Sequence, residues 1–365
     1  MTAPGTAEAA DGDPGTPNRL TDLLGIGEPV IQGPFGGGLS TVRLAAAVTA
    51  AGGLGSFGAH HLAPEAIGAL VGRLRAAVPP GGSFNVNLWV PHPDEASARP
   101  RPEDVDRLRP YYAALGVAPP AEYLPPPDFP AQVEALLAAR PPVISFVMGV
   151  PPRWVVRQAR RLGIRTLATA TTVDEAEAVA AAGVDAVVAS GSDAGGHRGA
   201  FLRPVAESLV GTFSLVPQVV DAVSIPVVAA GGIADRRGVT AARALGADGV
   251  QVGTGFLATE ESGASPAHRA ALRHRDARVT VLTRLFSGRH ARGIRNALIR
   301  DLADAESAVP PYPVQNALMQ PIRQAAAARG HADRLSLWAG QAALLAVGAT
   351  AREYLHALCH PPTPG

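Results

Sequence analysis

A chain of 365 residues that is 47% hydrophobic and 17% charged has the apolar content for a large buried core and too few charges for widespread disorder. Its formal net charge of +1 is spread without a basic stripe or an acidic block, which argues against nucleic acid as the main partner. It contains no lysine, so Schiff-base, lysine-anchored pyridoxal phosphate and lysine P-loop chemistries are excluded, because each needs a primary amine.

Residues 1–18 are small, polar and proline-rich, with no basic start and no apolar stretch; they predict a disordered tail rather than a signal peptide. No apolar run is long enough to cross a bilayer without Gly, Pro or charge, so no membrane partner is expected. Cys359 is the one cysteine. It can form neither an internal disulfide nor a cysteine metal cluster, and it fits a cytoplasmic protein in which it is a bystander.

From residue 28 a rhythm recurs: a short β-branched run, a glycine-rich turn, an alanine-rich helical stretch. Pro29–Gln32 predicts the first strand and Ser40–Ala51 its helix, with Ser40 as N-cap. Leu54–Phe57 is the second strand, and Pro64–Ala77 a helix with proline near its start. Phe84–Trp89 is the third strand. Residues 91–127 carry many prolines and predict a long loop with one or two short helices, before a helix over Asp128–Ala139. Strands follow at Val143–Val147, Arg165–Thr169, Ala186–Ala189, Pro226–Ala229 and Gly249–Val252. The helices between them cover Arg153–Leu162, Val173–Ala182 (capped by Thr171 or Thr172), Leu209–Val223 and Arg237–Leu245.

Eight apolar strands, nearly all followed by helices, predict an α/β fold of the (β/α)₈ TIM barrel kind, with strands buried on both faces. The expected divisions are the tail (1–18), the barrel (19–258), a helical lid or substrate lobe (259–334) and a terminal helix packing on the barrel (335–358). The run LSLWAGQAALLAV, Leu335–Val347, predicts that last helix.

Barrel enzymes work at the C-terminal ends of their strands, so the residues there are the candidates. After strand one comes Gly33-Pro34-Phe35-Gly36-Gly37-Gly38, where a flat ligand can approach the backbone. After strand six comes Gly191-Ser192-Asp193-Ala194-Gly195-Gly196-His197-Arg198-Gly199, which places an imidazole where a general base would serve. Gly231-Gly232 follows strand seven and Gly253-Thr254-Gly255 follows strand eight. These are the two loops that commonly bind phosphate in barrels, through backbone N–H groups and the threonine hydroxyl. His60 and His61 end strand two, but neighbours on a strand point to opposite faces, and no metal site is expected. Trp89, Trp154 and Trp338 are expected to be packing residues. Tyr312 and Gln315 are expected to close over a substrate, and Asp174, Glu175 and Glu177 to form a solvated helix face.

The blocks PVIQGPFGGG, AAVTAAGGLGSFGA, FNVNLWVP, SGSDAGGHRG, VVAAGGIADRRG and GVQVGTGFLATEES occur in this order. With YPVQNALMQPIR and SLWAGQ near the end, the sequence resembles the nitronate monooxygenases over about residues 29–345. It departs from their pattern at Phe35, where methionine is usual, at Ser190, where glutamine is usual, and at Asp193, where glutamate is usual. The resemblance implies FMN as cofactor. Pro34, Phe35 and Gly36 would lie along the flavin ring and Asn87 would hydrogen-bond it. Gly191, Ala194 and Gly195 would contact the ring or ribityl chain, and Gly231, Gly232, Gly253 and Thr254 would hold the phosphate. His197 would be the catalytic base, with His60, Arg198 and Tyr312 toward the substrate.

The implied reaction is oxidation of an alkyl nitronate by O₂ to a carbonyl compound and nitrite, in a protein that is a monomer or a homodimer. The alternatives are an FMN-dependent enoyl reductase using NAD(P)H, a specialised-metabolism flavoenzyme on the same scaffold, or a flavin-binding protein without turnover.

Overall fold

A computed structural model of the protein describes residues 18–93, 95, 97–346 and 348–361. The tail expected over 1–18 lies outside the described residues except for Asn18. That residue is ordered as the N-cap of α1 (Arg19–Leu24), accepting hydrogen bonds from the N–H groups of Leu20 and Thr21.

The barrel follows as β1 (Val30–Gln32), α2 (Val42–Ala50), β2 (Gly55–Gly58), α3 (Pro64–Ala77), β3 (Phe84–Trp89), α4 (Pro102–Ala114), α5 (Phe129–Ala139), β4 (Val143–Val147), α6 (Arg153–Arg161), β5 (Arg165–Ala170), α7 (Val173–Ala181), β6 (Ala186–Ser190), β7 (Gly196–His197), α8 (Thr212–Ala222), β8 (Val227–Ala230), α9 (Arg236–Ala244) and β9 (Gly249–Val252). All strands here except β7 are parallel, in the order β1-β9-β8-β6-β5-β4-β3-β2. A bridge between Ile31 and Leu54 joins β1 to β2 and closes the ring. The eight expected strands therefore form the expected barrel.

The barrel interior changes character along its axis. Toward the N-terminal ends of the strands, Leu20 and Leu24 of α1 cluster with Ile31, Leu54, Val143, Leu167, Ala186 and Val228, so a helix that the sequence reading left unassigned plugs this end. Buried Ser56, Asn85, Asn87 and Ser145 are polar instead, and their side chains bond one another. Asn85 Nδ2 donates to Ser56 Oγ (3.1 Å) and Ser145 Oγ (2.9 Å).

Beyond β9 the chain builds a lobe from α10 (Thr254–Leu257), α11 (Pro266–Arg273), β10 (Thr280–Thr283), β11 (Ala291–Ile294), α12 (Ala297–Asp301) and α13 (Val314–Arg329). Its apolar core is separate from that of the barrel wall and takes in α4, through Leu108, Tyr111 and Tyr112; the Tyr112 hydroxyl donates to Leu318 O (2.6 Å).

Three local expectations need correction. Leu335–Ala346 forms no α-helix, and Val347 lies outside the described residues; the last helix is α14 (Ala351–Cys359). The backbone of the earlier run is engaged in tertiary bonds instead of helical ones. Leu337 O accepts from Ile294 N, Ala339 N donates to Arg292 O, and Gln341 N donates to Asp193 O. Helix α14 begins where Thr350 and Glu353 form a reciprocal capping box.

Helix α2 is capped by Thr41. Ser40 is used elsewhere, its Oγ accepting from Phe35 N (2.9 Å). Glu175 is fully buried. Its carboxylate accepts from the N–H and hydroxyl of Thr171 and from the N–H groups of Phe201 and Leu202, so it anchors the loop after β7 while Thr172 caps α7. Asp174 remains on the surface, paired with Arg203.

Candidate active site

A cavity of about 750 Å³ opens at the C-terminal rim of the barrel, under the lobe, within the size range of small-molecule and cofactor sites. Its lining includes Pro34, Phe35, Gly36, His60, Asn87, Ala194, Gly195, His197, Gly231, Gly232, Gly253, Thr254 and Tyr312. The sequence-predicted residues thus come together in one place, with three exceptions. Arg198 is buried and its guanidinium donates to Gly191 O (2.6 Å) and Ser190 O (2.9 Å). It holds the loop from behind and does not line the cavity. Gly191 packs against Thr212, where a Cβ would overlap the threonine. Gln315 also turns away and donates to Leu285 O (2.6 Å).

One end of the cavity is a cradle of backbone. Gly231 and Gly232 adopt φ of 107° and 70°, conformations open to glycine and costly for other residues. The N–H groups of Gly232, Gly253 and Thr254 have no acceptor among the described residues. Thr254 Oγ1 accepts from Gly340 N (2.9 Å), which leaves its own proton to donate. Gly195 touches the same crossing segment so closely that a Cβ would collide with Ala339 and Gly340. Unused amide donors and a hydroxyl, in a wall that carries no carboxylate among the described residues, fit a phosphate group.

His197 also lines the cavity. Strand β7 pairs antiparallel with β11, His197 opposite Ala291, so a small sheet made with the lobe, and not the barrel itself, orients the imidazole. Its Nε2 lies 2.8 Å from Ser287 Oγ, and the rings of Trp89 and Trp338 meet it edge-on at 4.9 and 5.3 Å. Burial first, and then the Arg323 guanidinium, push its pKa down to about 3. The ring is therefore neutral at neutral pH. Nδ1 makes no hydrogen bond to the described residues, so it is the nitrogen open to a ligand.

His60 stacks on Trp89 with centroids 3.8 Å apart, and burial likewise lowers its pKa, helped by His61, His197 and Arg289. Arg289 lies over Trp89 and Tyr312 at 5.5 and 5.0 Å and pairs with Glu95. Burial raises the Tyr312 phenol. Asn87 donates through Nδ2 to Ser145 O (3.1 Å) and Oγ (3.0 Å). A carbonyl can only accept, so this contact fixes the amide's orientation and leaves Oδ1 for a ligand.

Sequence reasoning missed several lining residues. Trp89 and Trp338 line the cavity beside the imidazole rather than only packing, while Trp154 is partly exposed at the surface. His268 also lines the cavity, its Nε2 3.1 Å from Trp338 O, with its pKa lowered to about 4 chiefly by burial. The lobe contributes Asn316, Gln320, Arg323 and Gln324 from one face of α13. Their three- and four-residue spacing opposite the buried Val314, Leu318 and Ile322 is the amphipathic signal that could have found them. Among the described residues no group of three or more His, Cys, Asp or Glu is placed to hold a metal, and no helix is long and apolar enough to cross a membrane.

Comparison with known proteins gives a consistent picture. Residues 17–360 match the family model for nitronate monooxygenase. The probable nitronate monooxygenase of Staphylococcus haemolyticus (strain JCSC1435) is 41% identical over 333 residues, 90% of this chain and 92% of the relative. That of Staphylococcus aureus (strain JH9) is 41% identical over 331 residues, with the same coverage. Among solved structures, the nitroalkane oxidase of Streptomyces ansochromogenes superposes with a TM-score of 0.84 at 39% identity, covering 93% of this chain and 96% of that one. FabK of Thermotoga maritima superposes with a TM-score of 0.73 at 30% identity, covering 94% and 95%.

Proposed function

The chain belongs to the nitronate monooxygenase family and is a flavin oxidoreductase, and from that premise we propose that it uses FMN to oxidise alkyl nitronates with dioxygen to a carbonyl compound and nitrite. Atoms and charge balance when two nitronates and one dioxygen give two carbonyls and two nitrites. The observation that carries this reading is the convergence in one cavity of an amide cradle, a neutral imidazole and, among the described residues, a single guanidinium and no carboxylate.

Gly231, Gly232, Gly253 and Thr254 would hold the cofactor phosphate through N–H groups and the threonine hydroxyl. Pro34, Phe35, Gly36, Ala194 and Gly195 would line the ring, and Asn87 Oδ1 would accept a hydrogen bond from it. When bound, FMN supplies a ring that takes electrons from the nitronate and passes them on to dioxygen. The aromatic wall of Trp89, Trp338 and Tyr312 would exclude water from the reacting atoms.

His197 can take a proton at Nδ1 while Ser287 steadies Nε2. A base held at about 3 removes a carbon-bound proton poorly, because catalytic bases work best near the operating pH. This favours the preformed nitronate over the neutral nitroalkane as substrate, with His197 orienting the anion and accepting protons late in the reaction.

The test is direct. Purified protein is expected to be yellow, to release FMN on denaturation, and to consume oxygen and release nitrite with propionate 3-nitronate and ethyl nitronate. Colourless protein that refuses FMN would sink the proposal. The likeness to FabK goes with the second reading, a nicotinamide-driven flavin reductase. Rapid anaerobic bleaching of the flavin by NADH or NADPH, with no nitronate-dependent oxygen uptake, would select it.

A further inference from the structure

Among the described residues Arg323 is the one guanidinium that lines the cavity, and no carboxylate lines it. The guanidinium donates to Phe286 O (2.7 Å), Asn316 O (3.2 Å) and Asn316 Oδ1 (2.9 Å). All three acceptors are neutral, and no acid among the described residues forms an ion pair with it. A guanidinium carries five N–H donors, so two remain for a ligand. A cation drawn out of water without an acid partner is costly. Such a site is therefore built to receive an anion.

The position of this cation matters as much as its charge. Arg323 is tied to Phe286, and the next residue, Ser287, is hydrogen-bonded to His197. Two consecutive residues of one turn thus fix the cation and the imidazole side by side. Asn316 stands one helical turn before Gln320 on the same face of α13 and orients the guanidinium through its side chain.

Burial lowers the arginine to about 10, so it stays charged at neutral pH while His197 is neutral. A nitronate and its parent nitroalkane have nearly the same shape. They differ in net charge, which the two nitronate oxygens carry. Of the two groups fixed on this turn, only Arg323 can sense that difference.

We propose that Arg323 is the specificity-determining residue of the cavity, the fixed cation that selects an ionised nitronate over the neutral nitroalkane. This rests on the nitronate-oxidising reading above. The experiment compares the holoenzyme with its Arg323→Gln and Arg323→Lys variants. It measures oxygen uptake with ethyl nitronate, inhibition of that reaction by freshly dissolved nitroethane, and calorimetric binding of sodium nitrate as an unreactive planar anion.

Arg323→Gln is expected to raise KM for ethyl nitronate about tenfold or more, with a much smaller change in kcat, and to weaken nitrate by a similar factor. The nitroethane inhibition constant should stay within about twofold, and Arg323→Lys should recover most of the nitrate affinity because it restores the charge. Unchanged nitrate affinity and KM in Arg323→Gln overturn the proposal. So does an equal loss for nitronate and nitroethane, which would mark a structural role.

In the unaltered enzyme nitrate is expected to compete with ethyl nitronate, and a lack of competition overturns the proposal even if the glutamine variant does not fold. Should the unaltered enzyme take up no oxygen with any nitronate, the reaction assignment fails on its own. Arg323-dependent nitrate binding would then still support an anion site at this residue.

Discussion

At the barrel rim the cavity is faced by backbone: Ala194, Gly195, Gly231, Gly232 and Gly253, on loops that follow β6, β8 and β9. Across from them the lobe faces the same space with side chains, Tyr312 before α13 and Asn316, Gln320 and Arg323 on it. Backbone amides can grip a constant feature such as a phosphate, and they leave no room for larger residues. Side chains set charge and shape, so they suit the variable partner. On the reading proposed above, the rim would retain the cofactor and the lobe would discriminate among substrates.

The largest expected effect breaks the rim. Gly195→Val would push a side chain into Ala339 and Gly340. It is expected to give protein without visible flavin absorbance and to cost about 3 kcal/mol of stability, whereas Asn316→Val in the lobe should stay yellow. His197→Asn tests the one rim side chain given a chemical task. A loss of about a hundredfold in kcat/KM with normal flavin content is expected, and wild-type rates in the variant would remove His197 from the chemistry.

Glu175→Gln tests how the rim loop is held, by turning an amide NH₂ onto donors that now meet a carboxylate. Urea unfolding should show a loss of about 2 kcal/mol.

The next effect is a slope rather than a step. The His197 pKa falls from its ordinary 6.5 to about 3 on folding, so between these values the unfolded chain binds the additional proton. Stability is full above the unfolded pKa and declines as pH falls from about 6.5 toward 3, by up to about 1.4 kcal/mol per pH unit from this group. His268, lowered to about 4, adds in the same direction. His197→Asn should remove one proton's worth of the slope, and an unchanged slope would show that the ring is not held neutral. Smallest of all, Asp174→Asn breaks a pair that is half exposed on both sides and should change stability by less than about 0.5 kcal/mol.

The two regions also differed in how far the sequence disclosed them. Barrel strands such as Val143–Val147 and Gly249–Val252 are short apolar runs between glycine turns, and burial of both faces is the only solution that suits them. Their ends named the rim loops directly. The lobe is short elements tied by tertiary bonds, and local pattern misleads there. LSLWAGQAALLAV has helical composition, yet its amides pair with β11 and with the loop after β6. Arg198, which the family resemblance places toward the substrate, is spent on two carbonyls. Arg323, more than a hundred residues away along the chain, is the arginine that reaches the cavity. Glu175 looked like one acid among three on a wet face, and only the fold reveals the loop that needs it.

The bond from Gly340 N to Thr254 Oγ1 joins residues 86 apart in sequence, and it lies at the edge of the amide cradle. A ligand seated there would therefore staple the crossing segment to the barrel as well as serve catalysis. If FMN fills this cradle as proposed above, each tenfold rise of it above its dissociation constant should add about 1.4 kcal/mol to global stability. In a cell, the share of these chains that escapes proteolysis would then track the supply of riboflavin phosphate, so vitamin status would govern how much enzyme persists as well as how much is active.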